Sequence, residues 1–396
     1  MPKYVPPELV SYIMDYLLDD INTLSSCALV CKSWLHTSRK HRFMKVTITA
    51  EECSLRDKCI AFMTFLKAFP DIMIFVRHLI LNVKDSFGNP SDDIPVADTI
   101  LLLPRLRELS IYNKCKIGKG LPPGYTLRPI EKVNMHLRGS TSENLHTVVS
   151  TLALFSTIQN LSVFSARSRI SGLSWWDRGM LAETPRDIRV SSLSLRTVEP
   201  MCHLLCQTFN TTETIRSLTS LEILYAAMSE VESLRVWFTA PHSRLSHLLF
   251  NPAYTVSDAD RPVPFRVWSK MNLAACNSLE SLVLMVDVRE KGGFDFDYVG
   301  AVCDAALDIL NLAPPSLKVI TFRLHMYSND EVVVTLKRLD RQRLERILSI
   351  FPHLASVAIE NKAERSPSSS VPDDDWRRII ATDILQHIPT GVKLHY

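Results

Sequence analysis

Residues 279–284 read Leu-Glu-Ser-Leu-Val-Leu, and the same order of apolar and variable positions recurs through most of the 396-residue chain. The form is apolar-x-x-apolar-x-apolar, which predicts a short strand whose last two apolar side chains point to one side. Ten copies begin at residues 76, 106, 130, 158, 190, 218, 245, 279, 317 and 354, at spacings of 24 to 38 residues. We therefore expect a repeat array in which each strand is joined to the next by a helix or a loop.

The apolar triplets are Val76, Leu79, Leu81; Leu106, Leu109, Ile111; Ile130, Val133, Met135; Ile158, Leu161, Val163; Val190, Leu193, Leu195; Leu218, Leu221, Ile223; Leu245, Leu248, Phe250; Leu279, Leu282, Leu284; Leu317, Ile320, Phe322; and Leu354, Val357, Ile359. The pattern resembles the strand core of a leucine-rich repeat, whose period is about 20–29 residues. Most units lack the family's ladder asparagine, and the spacings reach beyond its range, so the array resembles a divergent, irregular form. The pattern leaves open an ordinary α/β domain with amphipathic strands.

The resemblance implies an α/β solenoid, a horseshoe in which the outward strand positions line one parallel sheet and form the usual binding face. At these positions we predict partner-binding residues where aromatic and arginine side chains occur, because these types carry much of the energy at interfaces. They are Tyr112, Arg138, Phe164, Arg196 and Arg323. The three arginines are also of the type that pairs with a phosphorylated motif.

The chain begins differently, with a helical block at residues 5–43. Pro6 and Pro7 suit the start of a helix, and Glu8 follows in the first turn, where the dipole favours a negative charge. One apolar stripe is predicted for this helix, formed by Leu9, Ile13, Tyr16 and Leu17. A second helix is expected to be capped by Asn22 or Thr23.

A third short helix is expected from about Cys31 through Leu35. Three helices in about 40 residues cannot hide all of their apolar side chains, so some are expected to face a partner. An exposed apolar helix surface of this kind indicates docking through helices.

The order Pro-x-Glu-Leu-x-x-x-Ile from Pro6, followed by Leu-x-x-Cys-Ala-Leu-Val-Cys-Lys-x-Trp from Leu24, resembles the F-box motif. Val5 departs from the family, which more often has leucine there, and the resemblance covers about a tenth of the chain. It implies docking to the Skp-type adaptor of cullin–RING (SCF) ubiquitin ligases. The adaptor contacts or their support would be Pro6, Leu9, Ile13, Leu29, Val30, Cys31 and Trp34.

The expected organisation is an F-box domain at residues 1–45, a connecting strand and helix at 46–70, and a divergent leucine-rich-repeat solenoid at 71–396. The connecting strand would cover Lys45–Thr49, and the connecting helix would cover Cys59–Phe69. From Trp376 an amphipathic helix and a last apolar segment would cap the solenoid. Three stretches interrupt the array: 167–189 with Trp175 and Trp176, 251–265, and the low-complexity segment 364–375.

Composition bounds the class of protein. Apolar residues make up 46% and charged residues 22% of the chain, as in globular proteins, and the net charge is only +3 from 45 basic and 42 acidic residues. This balance argues against a nucleic-acid or membrane partner. Nine cysteines, an odd number, with no secretory leader or long apolar run, predict a cytoplasmic or nuclear protein.

No catalytic motif stands out in the sequence. Cys202, His203 and Cys206 are the nearest approach to a metal cluster, but a fourth ligand is missing and the segment has the pattern of a helix core. We therefore expect no enzyme activity, no metal and no cofactor.

The functional hypothesis is a substrate-recognition subunit of an SCF-type ligase, with an unknown protein substrate on the repeats. Three alternatives stay open: an adaptor-bound scaffold outside ubiquitin transfer, an enzyme whose site is built from scattered residues, and a repeat scaffold whose N-terminal helices only cap the solenoid. The last alternative predicts that Leu9, Ile13 and Trp34 are buried.

Overall fold

The computed structural model describes residues 5–17, 20–50, 54–83, 94–113, 117–118, 121, 125–138, 141–165, 187–197, 201–224, 231–240, 243–253, 265–287, 296–326, 328–361 and 373–396. The chain forms two compact units, Met1–Thr184 and Pro185–Tyr396. The predicted Trp175–Trp176 loop lies outside the described residues, as do 254–264 and most of 364–375.

The first unit opens with three helices, α1 (Pro7–Asp15), α2 (Ile21–Cys27) and α3 (Lys32–Met44). Pro6 precedes α1 and Glu8 lies in its first turn, as expected. The cap of α2 was predicted wrongly: Asp20 holds that position, and its carboxylate accepts from the Thr23 amide at 2.9 Å and from the Thr23 hydroxyl at 2.6 Å. Helix α3 is also longer than predicted and continues for two further turns past Leu35.

A small core joins these helices. Val10, Met14 and Leu24 are buried in it, and Leu17, Cys27 and Trp34 pack against them. The inward stripe of α1 is therefore Val10, Met14 and Leu17, and the predicted stripe was wrong in placing Leu17 with Leu9 and Ile13. Since α1 is apolar on two faces, spacing alone does not reveal which face is buried.

Five parallel strands follow in the first unit, each paired with the next in chain order. They are β1 (Lys45–Ala50), β2 (His78–Val83), β3 (Glu108–Tyr112), β4 (Arg128–Leu137) and β5 (Phe155–Ser165). The helices between them are α4 (Leu55–Ala68), α5 (Pro70–Met73), α6 (Val96–Leu101) and α7 (Thr141–Leu152). The strand expected at Lys45–Thr49 is confirmed, and it pairs with β2 as the first strand of the sheet. Helix α4 begins at Leu55, earlier than expected, because Ser54 caps it.

The second unit repeats this arrangement with seven parallel strands. They are β6 (Arg189–Thr197), β7 (Ser220–Ile223), β8 (His247–Phe250), β9 (Ser281–Asp287), β10 (Val319–His325), β11 (Ser356–Asn361) and β12 (Lys393–His395). The α-helices in its described residues are α8 (Met201–Asn210), α9 (Thr214–Ser217), α10 (Arg235–Thr239), α11 (Phe265–Ser269), α12 (Phe296–Asn311), α13 (Asn329–Arg338), α14 (Arg341–Leu348) and α15 (Asp373–Ile379). Short 3₁₀ turns cover Val231–Leu234, Leu273–Ala275 and Leu385–His387.

The predicted triplets form the core of both units. All thirty of their residues are buried. Their last two positions stay in register from strand to strand: Leu109 faces Leu79 and Val133 in the first unit, and Leu282 faces Leu248 and Ile320 in the second. Parallel strands in chain order, joined by helices and stacked on one apolar position, give each unit an open, solenoid-like α/β architecture.

The C-terminal segment differs from the single helix expected. Helix α15 passes into a π-helical turn at Ile380–Ile384, and then into a 3₁₀ turn. Trp376, Ile380 and Ile384 are buried, and β12 pairs with β11 as the last strand of the sheet. These three buried residues follow one another at intervals of four, so the apolar face continues through the change of helix type.

Candidate protein-docking surfaces

Helix α1 carries a second apolar face that is open to solvent. Its members recur at i, i+3, i+4 and i+7, the spacing of one helix face. They are Leu9, Tyr12, Ile13 and Tyr16, and Leu9 is 53% and Ile13 45% exposed. Val5 is also exposed just before the helix. Because Val10 and Met14 fill the core from the opposite side, this face is not needed to fold the block.

The two tyrosines on this face are held against each other. Their hydroxyls lie 2.7 Å apart, and their rings meet edge to face with centroids 5.2 Å apart. The hydrogen bond that Tyr16 shares with Tyr12 is the main cause that raises the pKa of Tyr16 above its ordinary value. Tyr12 was not among the predicted site residues, although it lies three residues from Leu9 and could have been found by the same helical spacing.

The turn between α2 and α3 exposes a further apolar group. Leu29 is 87% and Val30 63% exposed, and Cys31 is exposed beside them. The Leu29 amide donates to the Ser26 carbonyl at 3.0 Å, and the Val30 amide donates to the Cys27 carbonyl at 3.1 Å. These bonds fix the turn, so its side chains are presented on an ordered backbone.

We call the exposed apolar residues of α1 and of the α2–α3 turn the helical docking face. It comprises Pro6, Leu9, Tyr12, Ile13, Tyr16, Leu29, Val30 and Cys31, all of them exposed. Six of the seven predicted adaptor residues lie in it. Trp34, the seventh, is half-buried and packs on the small core, so it supports the helices that carry the docking face. The exposure of Leu9 and Ile13 is the opposite of what the capping alternative predicts.

The outward sheet face of the first unit carries a row of three rings. Tyr112, His136 and Phe164 are in register on β3, β4 and β5. The Tyr112 and His136 rings are stacked at 4.8 Å and 8°, and the Phe164 ring follows at 5.6 Å from His136. The predicted residues Tyr112 and Phe164 thus lie in one row, on either side of His136. Arg138 is exposed just past the end of β4.

A polar row crosses the same face four residues earlier. Lys45, His78, Glu108 and Lys132 are in register on β1 to β4. The His78 Nε2 atom lies 2.9 Å from the Ser110 hydroxyl, and its Nδ1 atom lies 3.9 Å from the Glu108 carboxylate. Burial lowers the pKa of His78, and Glu108 opposes that change. This histidine therefore stays neutral to a lower pH than a solvent-exposed histidine.

In the second unit the predicted arginines are paired within the sheet. Arg196 lies 3.2 Å from Glu222 on the next strand, and Arg323 lies 2.7 Å from Glu360. A phosphorylated ligand would have to displace a carboxylate at both places. Pairing of these two side chains with phosphate stays a prediction, and it would require that displacement.

The cysteines of the described chain do not form a reactive centre. Cys202 and Cys206 are buried in α8, and both ring nitrogens of His203 lie close to other side chains, Nδ1 at 2.6 Å from Ser233 and Nε2 at 2.8 Å from Gln207. Burial raises the pKa of Cys59 and of Cys303 to about 12, which keeps these thiols protonated. Among the described residues no group of three or more His, Cys, Asp or Glu could hold a metal ion.

The sequence matches no protein-family model, and no curated protein matches it either. Among the described residues, no helix combines the length and apolar character needed to cross a bilayer.

Proposed function

We propose that this chain is the substrate-recognition subunit of an SCF-type cullin–RING E3 ubiquitin ligase acting in the cytoplasm or nucleus. In this proposal α1 to α3 form an F-box that docks a Skp-type adaptor. The strand runs of each unit form divergent leucine-rich repeats, and these repeats present a protein substrate. The observation that carries the proposal is the helical docking face: its apolar residues fall at the F-box-like positions and stay in solvent, while other residues make the core.

The energetics support docking through this face. Complete burial of one leucine or isoleucine side chain is worth about 1.5–3 kcal/mol. Leu9, Ile13 and Leu29 are each about half exposed or more, so their apolar area is available for a partner. The helices already exist without the partner, so little ordering entropy opposes binding.

The proposed role needs no chemistry from the chain itself. Adaptor and substrate are held on one chain, so a substrate lysine meets the ubiquitin-charged enzyme at high effective concentration. This agrees with thiols that are buried and protonated at Cys59, Cys276 and Cys303.

A capture experiment tests the docking claim. The full chain is used as bait for a purified Skp-type adaptor, beside a Leu9→Asp/Ile13→Asp variant. The matched control is Ile350→Asp, because Ile350 is 52% exposed but lies far along the chain, in the second unit. We expect the wild type and the control to capture the adaptor and the double variant to lose it.

No capture by the wild type, or equal capture by all three proteins, would remove the ligase proposal. Circular dichroism and amide exchange of α3 verify that the double variant is folded. If the adaptor is captured, polyubiquitination of proteins bound to the chain in a reconstituted ligase separates substrate recognition from an adaptor-bound scaffold, which would leave those proteins unmodified.

A further inference from the structure

The outward sheet face of the second unit carries apolar side chains at strand positions that are usually polar. By strand alternation, the residue between the last two apolar residues of each triplet points to this face. On β8 and β9 this residue is Leu249 and Val283, which lie side by side in register. Both are half-buried, so part of each side chain stays in solvent. The same position in the first unit carries Ser110 on β3 and Asn134 on β4.

Other apolar residues extend this pair over the neighbouring strands. Met285 lies two residues after Val283 on β9, Val319 lies on β10, and Ala358 lies on β11. We call these residues the apolar strip: Leu249, Val283, Met285, Val319 and Ala358. Thr321 on β10 lies in register between Val283 and Ala358 and is itself buried. The strip crosses four paired strands, which corresponds to about 14 Å.

An ion pair lies at each end of the apolar strip. At one end, Glu222 is in register with Leu249 and lies 3.2 Å from Arg196. At the other end, Glu360 follows on β11 and lies 2.7 Å from Arg323. Each guanidinium has a carboxylate partner within the sheet, so these four groups add no net charge. The strip therefore suits a ligand whose contact surface is apolar rather than acidic or basic.

The backbone beneath the strip favours a helix over an extended peptide. Strands β8, β9 and β10 each pair with a neighbour on both sides. An extended peptide laid over them would turn its own N–H and C=O groups towards apolar side chains, which is unfavourable. A helix bonds those groups internally. At a rise of about 1.5 Å per residue, apolar residues at i, i+3, i+4 and i+7 span about 10 Å, which the strip accommodates.

We propose that the apolar strip binds an amphipathic α-helix of a partner protein, through a stripe of aliphatic side chains about two turns long. The inference rests on the proposed function only in taking that helix to belong to the ligase substrate. The two ion pairs would meet polar residues at the ends of the stripe. Because apolar burial supplies the affinity, binding should depend little on salt.

Fluorescence anisotropy of the full chain tests the proposal with a designed helix. The probe is labelled Gln-Ala-Ala-Leu-Gln-Ala-Leu-Leu-Glu-Ala-Leu-Gln-Lys-Gln, in which a lactam joins the glutamate and lysine side chains on the face opposite the leucines. One comparison peptide has the same composition with its leucines spread around the helix. The other has proline for the alanine before the paired leucines, which breaks the helix but keeps the side chains.

The protein variants are Leu249→Gln, Val283→Thr and their double variant. The matched control is Ile80→Thr, because Ile80 holds the same triplet position on β2 of the first unit and is also half-buried. Val283→Ile is a second control that keeps the strip apolar. Amide exchange of β8 and β9 verifies that the variants are folded.

We expect the probe to bind and both comparison peptides to bind at least about tenfold more weakly. Since about half of each side chain remains to be covered, Leu249→Gln and Val283→Thr should each weaken binding by about fivefold, and the double variant by about 25-fold. Ile80→Thr and Val283→Ile should leave it unchanged. Raising NaCl from about 0.05 M to about 0.5 M should change the affinity by less than about twofold.

Several results would overturn the inference. They are no binding at probe concentrations up to about 1 mM, equal binding of the proline peptide, which would indicate an extended ligand, and an equal loss in Ile80→Thr. Self-association of the chain that the probe displaces would overturn it too, because the occupant would then be a second copy. Probe binding without adaptor capture would leave this inference standing and remove the proposed function, whereas capture without probe binding would do the reverse.

Discussion

Substitution by alanine should lower the folding stability of the helical block at Leu24 and its adaptor binding at Leu29. Leu24 is 0% exposed beside Val10 and Met14, whereas Leu29 is 87% exposed in the next turn. Leu24→Ala removes buried atoms and leaves a cavity, which typically costs about 2–5 kcal/mol. In Leu29 only about an eighth of the side-chain area is covered. Full burial of a leucine is worth about 2 kcal/mol, so Leu29→Ala should cost about an eighth of that, or about 0.3 kcal/mol.

Amide hydrogen exchange in the full chain measures both effects locally, on peptides covering α1 to α3. A loss of about 2 kcal/mol speeds exchange through local opening by about 30-fold, and a loss of about 0.3 kcal/mol by less than about twofold. Adaptor capture should rank the variants differently, with Leu29→Ala weakened although it stays folded. Equal exchange in the two variants, or unchanged exchange in Leu24→Ala, would refute the assignment of inward and outward faces.

Three further predictions concern individual groups. Hydrogen bonds from Thr23 hold the pKa of Asp20 below its ordinary 3.8. The ionised cap therefore stabilises α2 above pH 3.8, and this stabilisation is lost as the pH falls through the lowered pKa. Amide exchange of α2 should speed up over that pH range in the wild type and should not do so in Asp20→Asn. Burial lowers the pKa of His41, so the unfolded block takes up a proton more readily than the folded block. The stability of α1 to α3 should therefore fall as the pH drops below 6.5. Amide exchange measured across this pH range should show that fall in the wild type and a flatter dependence in His41→Gln. Glu360→Gln breaks a partly exposed pair with Arg323 and should cost less than about 1 kcal/mol in urea unfolding, where a larger loss would show that the pair is more than a surface contact.

The sheet was the part of the fold that sequence could predict. A triplet such as Leu279, Leu282 and Leu284 combines the two-residue alternation of a strand with a third apolar residue before it. Because all ten triplets must place their apolar residues in the same core, the pattern also predicts how neighbouring strands align. The same reasoning found the outward positions, because they follow from alternation alone. It placed Tyr112 and Phe164 on one face before any distance was known.

Other features depend on contacts between distant residues and could not be read from spacing. Helix α1 is apolar on both sides, so only packing against Leu24 shows that Val10 is inside and Leu9 outside. The pairing of Arg196 with Glu222 joins residues 26 apart in sequence, and it decides whether that arginine is available to a ligand. Asp20 caps α2 because its backbone leaves the helical region there, which local composition did not distinguish from a cap at Asn22.

Calorimetric titration of a Skp-type adaptor into the full chain, repeated at several temperatures, tests the central claim most directly. We predict saturable one-to-one binding with a negative heat-capacity change, because the helical docking face would bury apolar area. Leu9→Asp/Ile13→Asp should abolish the binding heat, and Ile350→Asp should not change it. Absence of binding by the wild-type chain, or binding that the double substitution leaves unchanged, would contradict the account.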